Sequence, residues 1–454
     1  MADRPIHDML QAAALRTRGH MPGHGGLAPF PVGDLYELDT TETDATDDLY
    51  SPVHAILEAQ EQYAAAAGAK ATVFLHNGST QGIHAMLEAE LRDGDTVILP
   101  RNAHLSAQAA CIIGGLRVSW ICLRQTQDGY SYIAEDDVLE ALKKTPEAKC
   151  LLLTRPDYYG GCIPLERIAR EARRRGVRLV VDEAHGAHFP WLNGISSAGD
   201  FGADYWVQSV HKTLPGLTGS AVLHASSAAL MKSAMRVIRR EQTSSPSFLL
   251  LQSVDDSRAY MEERGVRHLE QLAQTLQTVK RSLSEIGYGN PQEAWTKETG
   301  YCFDPLHLVI RAPQGGKKLM KQLSELSYDV EMADRNQVVC LYGAGMQPEV
   351  VYRLESLLKR VRGFGKDAAL SDTLPPIPEA VMPLRVAALS DTEYIHYRQA
   401  QDRICAQAAG LYPPGIPLVV PGEKISREVI EILGNNTPND RFGMEGDMML
   451  CVRQ

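Results

Sequence analysis

Asp182 and Lys212, thirty positions apart, are the two residues whose types and surroundings point most directly to chemistry. Each closes an apolar, β-branched run. Leu179-Val180-Val181 leads into Asp182, and Tyr205-Trp206-Val207-Gln208 leads into Ser209-Val210-His211-Lys212. Such runs read as buried strands, and open α/β sheets bind ligands just outside the carboxyl ends of their strands. A carboxylate on one strand end and an amine on another suit a cofactor that needs both. Pyridoxal phosphate is one: it takes a lysine for its Schiff base and an acidic partner for its pyridine nitrogen. Lys212 is then the Schiff-base lysine, with desolvation favouring its neutral, nucleophilic amine. Asp182 is the nitrogen partner. Ser79, Thr80, Ser209 and His211 are candidates for the phosphate, and His104 for the ring face.

The elements that must position these residues follow from the hydrophobic pattern. From Thr72 onward strand, loop and helix alternate, with strands at 72–75, 96–99, 116–122, 150–154 and 220–224 and helices near 135–143 and 164–175. This alternation predicts a mostly parallel sheet with helices on both faces. His76-Asn77-Gly78-Ser79-Thr80-Gln81-Gly82 opens a helix reaching about 91, whose amide and hydroxyl donors in a favourable dipole would cradle a phosphate. Ser and Thr are also ordinary helix caps, so this motif alone decides little. Upstream, 5–18 reads as a short amphipathic helix. Gly19-His20-Met21-Pro22-Gly23-His24-Gly25-Gly26 reads as a loop whose backbone can approach a neighbour closely. The acidic stretch 34–51 reads as a solvated surface segment, and 52–67 as a helix. Residues 227–288 are mainly helical, with a break near 243–247. The last third holds strands at 306–310 and 338–341, a helix at 349–362, a Pro-rich linker at 373–378 and a helix at 391–409. The expected organisation is an N-terminal helix and arm (1–50), a cofactor-binding large domain (51–290), a small α/β domain (291–370) and a C-terminal domain (371–454).

Composition removes several classes. A net charge of -10 over 454 residues argues against general nucleic-acid or anionic-membrane binding, because phosphates reward a basic surface. Eight scattered cysteines with no CxxC pair predict reduced, buried thiols in a cytoplasmic protein. No run is long enough to span a bilayer, the N-terminus lacks a signal-peptide core, and no metal-ligand spacing stands out. Asp182-Glu183-Ala184-His185 spells a helicase motif, but neither Gly315-Gly316-Lys317-Lys318 nor Gly363-Phe364-Gly365-Lys366 fits the phosphate loop a nucleotide hydrolase needs.

The motifs together resemble the Orn/Lys/Arg decarboxylase family, fold-type-I pyridoxal-phosphate enzymes acting on basic amino acids, in the short form without an N-terminal wing domain. The resemblance runs along nearly the whole chain: HMPGH at 20–24, TE…DDL at 41–49, NGST at 77–80 and RNAHLS at 101–106. It continues with DEAHGAH at 182–188, SVHKTL at 209–214, TSSPSF at 243–248, and YPPGIP…PGE at 412–423. It implies the aspartate-aminotransferase-like fold with smaller C-terminal α/β domains. It also implies Lys212 on the cofactor, Asp182 at its nitrogen, His104 stacked on the ring, and Ser79, Thr80, Ser209 and His211 at the phosphate. Ala184 lies under the ring, with His185 among the cofactor-binding residues, and Glu423 meets the cationic end of the substrate.

The implied reaction is decarboxylation of arginine or lysine, with ornithine possible, to agmatine, cadaverine or putrescine, as in polyamine biosynthesis, with Lys212 or His211 returning a proton to Cα. The implied assembly is a homodimer or dimer of dimers, its active site at the interface and the 243–247 loop supplied by the neighbour. The chain departs from the family at Gly25 and Leu105, where lysines are usual, at Gly219, near which members often carry glutamine, and at Asp402, where glycine is common. Two other functions stay open: a different pyridoxal-phosphate reaction such as transamination, for which Arg385 could hold the substrate carboxylate, and a member that has lost catalysis and serves as a binding subunit.

Overall fold

The computed structural model describes residues 4–43, 45–361, 374–413 and 415–453. Its centre is a seven-stranded sheet: β1 (Ala71–Leu75), β2 (Thr96–Pro100), β3 (Arg117–Ile121), β4 (Ala148–Thr154), β5 (Arg178–Asp182), β6 (Tyr205–Gln208) and β7 (Ala221–Ala225). The order across the sheet is β1-β7-β6-β5-β4-β2-β3. Only β7 runs against its neighbours, pairing antiparallel with both β6 and β1. The continuous apolar runs are explained by burial on both sides. In β5, Val180 packs into one core while Leu179 and Val181 pack into another; in β6, Val207 and Trp206 divide the same way. Helices α1 (Gly78–Glu90), α2 (Leu105–Gly114) and α3 (Ala228–Glu241) follow β1, β2 and β7, and α1 packs against both others.

The remaining helices agree with the pattern at Ala55–Ala66, Glu135–Lys144, Glu166–Arg175 and Pro348–Arg360. Between 228 and 285 three α-helices are separated by the 242–247 turn and a π-turn at Met261–Gly265. A three-stranded antiparallel sheet, His307–Arg311 with Gln337–Leu341 with Met332–Ala333, lies beyond them. One apolar cluster runs from Leu49 through Leu283 to Leu358, and a separate one gathers Tyr397, Val419, Val429 and Cys451.

Four expectations need correcting. The helix expected at 391–409 is absent: Thr392–His396 is a strand paired with the C-terminal strand Met448–Val452, and Ala409–Leu411 pairs with Ile416–Val419. Thr392, Tyr394 and Ile395 are β-branched or aromatic, and the partner that holds them extended lies more than fifty residues away. The 5–18 helix stops at Ala14, because Thr17–Gly19 joins Tyr328–Val330 as a parallel strand. The acidic segment is not wholly solvated: Leu49 is buried, and Asp47 accepts hydrogen bonds from the N–H groups of Val53, His54 and Ile56. Burial alone would raise its carboxyl, but these donors hold it down to about 2. The cysteines are all free, but Cys122 and Cys302 are exposed. Thr373 of the linker, the boundary at 370/371, Asp44 of the acidic segment and Pro414 of the Pro-rich motif lie outside the described residues. Among those described, no helix is long and apolar enough to cross a membrane.

Candidate active site

The carboxyl ends of β1, β4, β5 and β6 open into a cavity of about 830 Å³. Its lining includes Ser79, Thr80, His104, Asp182, Ala184, His185, Ser209, His211 and Lys212. These come from four separate stretches of chain, and the sheet brings them together. β5 and β6 are adjacent and in parallel register, Val207 opposite Asp182, which sets the carboxylate beside the turn carrying Lys212.

Low-dielectric surroundings push the Lys212 ammonium below its ordinary value, and the charges of Asp182 and Glu331 oppose that push. The result favours a neutral amine more than in water. Asp182 is itself oriented, its Oδ1 accepting from the Ala184 N–H at 3.1 Å. His104 caps α2: its Nδ1 accepts from the Ser106 N–H at 3.2 Å, with Ser106 Oγ 2.7 Å away. That places the ring proton on Nε2. Burial lowers the His104 pKa, the Asp182 charge opposing and the Lys212 charge adding to the effect. His211 donates through Nδ1 to the Ser220 carbonyl at 2.9 Å, and burial keeps the ring below the usual imidazole value.

The polar atoms fit a phosphorylated cofactor. Ser209 Oγ is buried at the cavity without a hydrogen-bond partner, which is costly unless a ligand supplies one. Ser79 and Thr80 stand at the first turn of α1, a thirteen-residue helix whose leading N–H groups have no partner within the helix.

The HMPGH loop makes the close approach its glycines predict. Gly23 N–H donates to the His211 carbonyl at 2.8 Å, and Gly345 N–H donates to the Gly23 carbonyl at 3.1 Å. A Cβ on Gly23 would stand 2.7 Å from the Leu214 carbonyl oxygen. The loop is thus packed on the Lys212 turn. Gly25, with φ +59, has Met346 Cγ 2.8 Å from where its Cβ would be. Asp402, with φ +63, occupies a left-handed position, which glycine adopts freely and aspartate tolerates. Leu105 lines the cavity and is exposed.

Glu423 is not brought to this cavity. It is 1% exposed, and its two oxygens accept from Arg101 at 2.8 and 2.6 Å, with the Val420 N–H adding a third bond at 2.9 Å. A carboxylate this deeply buried needs paired donors, and Arg101 of the RNAHLS motif supplies them. Within one chain its carboxylate is committed to Arg101 rather than to a substrate. Arg385 also lies elsewhere, 3.7 Å from Asp93 and donating to the Ile113 carbonyl.

Sequence reasoning missed the group behind His185. His185 Nδ1 lies 3.4 Å from His307 Nε2; His307 Nδ1 and His188 Nε2 donate to Asp304 at 2.8 and 3.1 Å. All four side chains are buried. Burial, Lys212 and His307 drive His185 well below its usual pKa, Asp304 alone opposing before His104 adds to the lowering. A neutral His185 therefore faces the cavity with its orientation set from behind. Tyr158, its ring 5.2 Å from that of His185, lies near Tyr412 and Glu331. His188 stands in the DEAHGAH motif, but Asp304 and His307 lie more than a hundred residues downstream with no periodic or motif signal.

Residues 10–349 match the description Orn/Lys/Arg decarboxylase, major domain, and residues 378–436 match the C-terminal domain of the same family. An uncharacterized protein of Bacillus subtilis, YaaO, is 32% identical over 456 residues, covering 96% of this chain and 94% of its own. Arginine decarboxylase of the same organism is 30% identical over 458 residues with the same coverage. Among solved structures, lysine decarboxylase A from Pseudomonas aeruginosa superposes with a TM-score of 0.77 at 17% identity, over 92% of this chain and 74% of that one. The constitutive lysine decarboxylase of E. coli gives 0.71 at 18% identity, over 88% and 74%.

Proposed function

The chain belongs to the Orn/Lys/Arg decarboxylase family, and we propose that it removes the α-carboxylate of arginine or lysine, with ornithine the third candidate, to give the amine and carbon dioxide. The observation that carries the proposal is the convergence of Lys212, Asp182 and His104 on one cavity at the carboxyl ends of the sheet strands. Relatives named as arginine decarboxylases, 30% identical over 96% of the chain in Bacillus subtilis and 30% over 92% in Bacillus anthracis, favour arginine.

Pyridoxal phosphate would be held by Lys212 through its amine, by Asp182 at the ring nitrogen, by His104, Ala184 and His185 around the ring, and by Ser79, Thr80, Ser209 and His211 at the phosphate. When bound, it supplies the electron sink that accepts the pair left at Cα as carbon dioxide departs. The Ala184 N–H holds the Asp182 carboxylate in place beside the ring site. Lys212, lowered but still near two carboxylates, can carry a proton to Cα. A neutral His211 already donates its Nδ1 proton to the Ser220 carbonyl and has a bare Nε2, so it gains a second proton only beside an anion. Lys212 is therefore the proposed donor, and His211 a phosphate ligand.

The proposed assembly is a homodimer in the cytoplasm, the partner contributing its 243–247 loop. It is supported by the exposed apolar side chains Ile6, Met9 and Leu10 on the first helix, at 71%, 59% and 57%, which a second copy would cover. Transamination is disfavoured by the engagement of Arg385 with Asp93, away from the cavity.

Incubating the holoenzyme with arginine, lysine and ornithine while measuring carbon dioxide, amine and keto acid tests the reaction. Stoichiometric carbon dioxide and amine are expected from at least one substrate, and keto acid without carbon dioxide would sink the proposal. Borohydride reduction should leave a pyridoxyl label on Lys212.

A further inference from the structure

The short antiparallel pair of Gly161–Cys162 with Cys302–Phe303 sets Cys162 directly opposite Cys302. Opposed residues of such a pair share one face, with Cα atoms about 4.5–5.5 Å apart, inside the span a disulfide tolerates. The Cys162 thiol donates to the Gly160 carbonyl at 3.7 Å, on the strand pair that faces it to Cys302. Cys162 is 1% exposed, whereas Cys302 is exposed, so an oxidant in solution reaches one sulfur and not the other. The Arg155 guanidinium, itself fixed by Glu183 and the Ser196 carbonyl, acts on both.

The neighbouring Cys162 thiol is the main influence on Cys302 and, with Arg155, overcomes burial to hold its thiol down to about 6. Burial and the neighbouring Cys302 raise Cys162 well above its ordinary value. These shifts favour a thiolate at Cys302 and a protonated thiol at Cys162. An accessible thiolate near a cation is the environment of a reactive cysteine.

We propose that Cys302 and Cys162 form a peroxide-responsive thiol pair, a modification site distinct from the cofactor cavity. The Cys302 thiolate attacks one oxygen of hydrogen peroxide, the O–O bond breaks, and the departing hydroxide takes a solvent proton, leaving a sulfenic acid on Cys302. Cys162 then attacks that sulfur; the S–O bond breaks, the S–S bond forms, and the leaving hydroxide departs as water with the Cys162 proton. Two thiols are oxidised to one disulfide and one peroxide is reduced to two waters. The new bond clamps the strand that runs on into Asp304 to the loop that holds Asp157 and Tyr159 at the cavity.

The test treats reduced holoenzyme with equimolar hydrogen peroxide, alkylates the remaining thiols and maps the peptides. A disulfide joining the Cys162 and Cys302 peptides is expected, two hydrogen atoms lighter than the reduced pair and reversed by dithiothreitol, while the exposed Cys122 is alkylated. In Cys162→Ser, dimedone should trap the sulfenic acid on Cys302. If Cys162 and Cys302 are both alkylated after peroxide while Cys122 is oxidised, the proposal is overturned. A second readout needs no variant: the pH dependence of Cys302 alkylation in the reduced wild type should have a midpoint near 6. A midpoint in the ordinary cysteine range overturns it as well.

Discussion

Asp304 shows how much a single buried charge can organise. Its carboxylate is fully buried, and burial alone would raise its pKa, yet His188 and His307 together hold it well below the usual carboxylate range. It accepts from both rings and from the Leu306 N–H, and through His307 it braces His185 at the cavity. Removing the charge leaves two imidazole donors facing a weaker acceptor in a dry site. Asp304→Asn should therefore destabilise the protein by roughly 3–5 kcal/mol at neutral pH, the cost of breaking a buried charged pair. The sign of the pH dependence follows from the depressed carboxyl. The wild-type contribution is complete above the unfolded carboxyl pKa of about 4 and is lost as pH falls below it. Denaturant unfolding at neutral and acid pH should show the gap between wild type and variant narrowing on acidification. A gap that stays constant would mean that Asp304 is not the ionised member.

Placement of the proposed Schiff-base lysine depends on a turn and the loop that covers it. Lys212 follows β6 in a four-residue helical turn, Val210–Thr213, too short to be rigid alone. Gly23 pins it through the His211 carbonyl, and the Ala344 N–H donates to the Thr213 carbonyl at 2.7 Å from the other side. There is no room at Gly23 for a methyl group, the Leu214 oxygen being 2.7 Å and the Thr213 carbonyl carbon 2.8 Å from its position. In Gly23→Ala the loop or the turn must shift. A displacement of about an ångström at the reacting amine costs roughly a hundredfold in rate. The expected result is such a fall in kcat with pyridoxyl labelling of Lys212 retained. Wild-type turnover in a folded variant would show that the loop does not position the turn.

Across the whole molecule, the C-terminal region is fastened to the sheet by Arg101. Its guanidinium bonds both oxygens of Glu423 and the Pro417 and Leu418 carbonyls, three positions before the cavity-lining His104. Glu423→Ala would strand a buried cation and should cost about 3–5 kcal/mol, whereas an apolar pair of matched volume at 101 and 423 should recover much of the loss. Thermal unfolding of the single and double variants distinguishes this from a substrate contact. If Glu423→Ala instead leaves stability unchanged and raises only the KM for the basic substrate, the residue serves the ligand and the clasp is unimportant.

The strands, their order of appearance and the nine residues around the cavity were legible before any coordinates, because burial on both faces writes apolar runs and the chemistry sits where those runs end. The loop at 19–26 was equally plain, since four glycines and a proline in eight residues serve close backbone approach. What the chain could not announce were pairings between distant residues. Thr392–His396 became a strand because Met448–Val452 lies beside it. Glu423 turned from substrate to Arg101, and Asp304 gathered two histidines, because a buried charge takes whichever complementary group folding places within hydrogen-bond reach. Local pattern encodes which face is buried; the partner of a buried charge or of an edge strand depends on proximity in space, and nothing in local spacing records that.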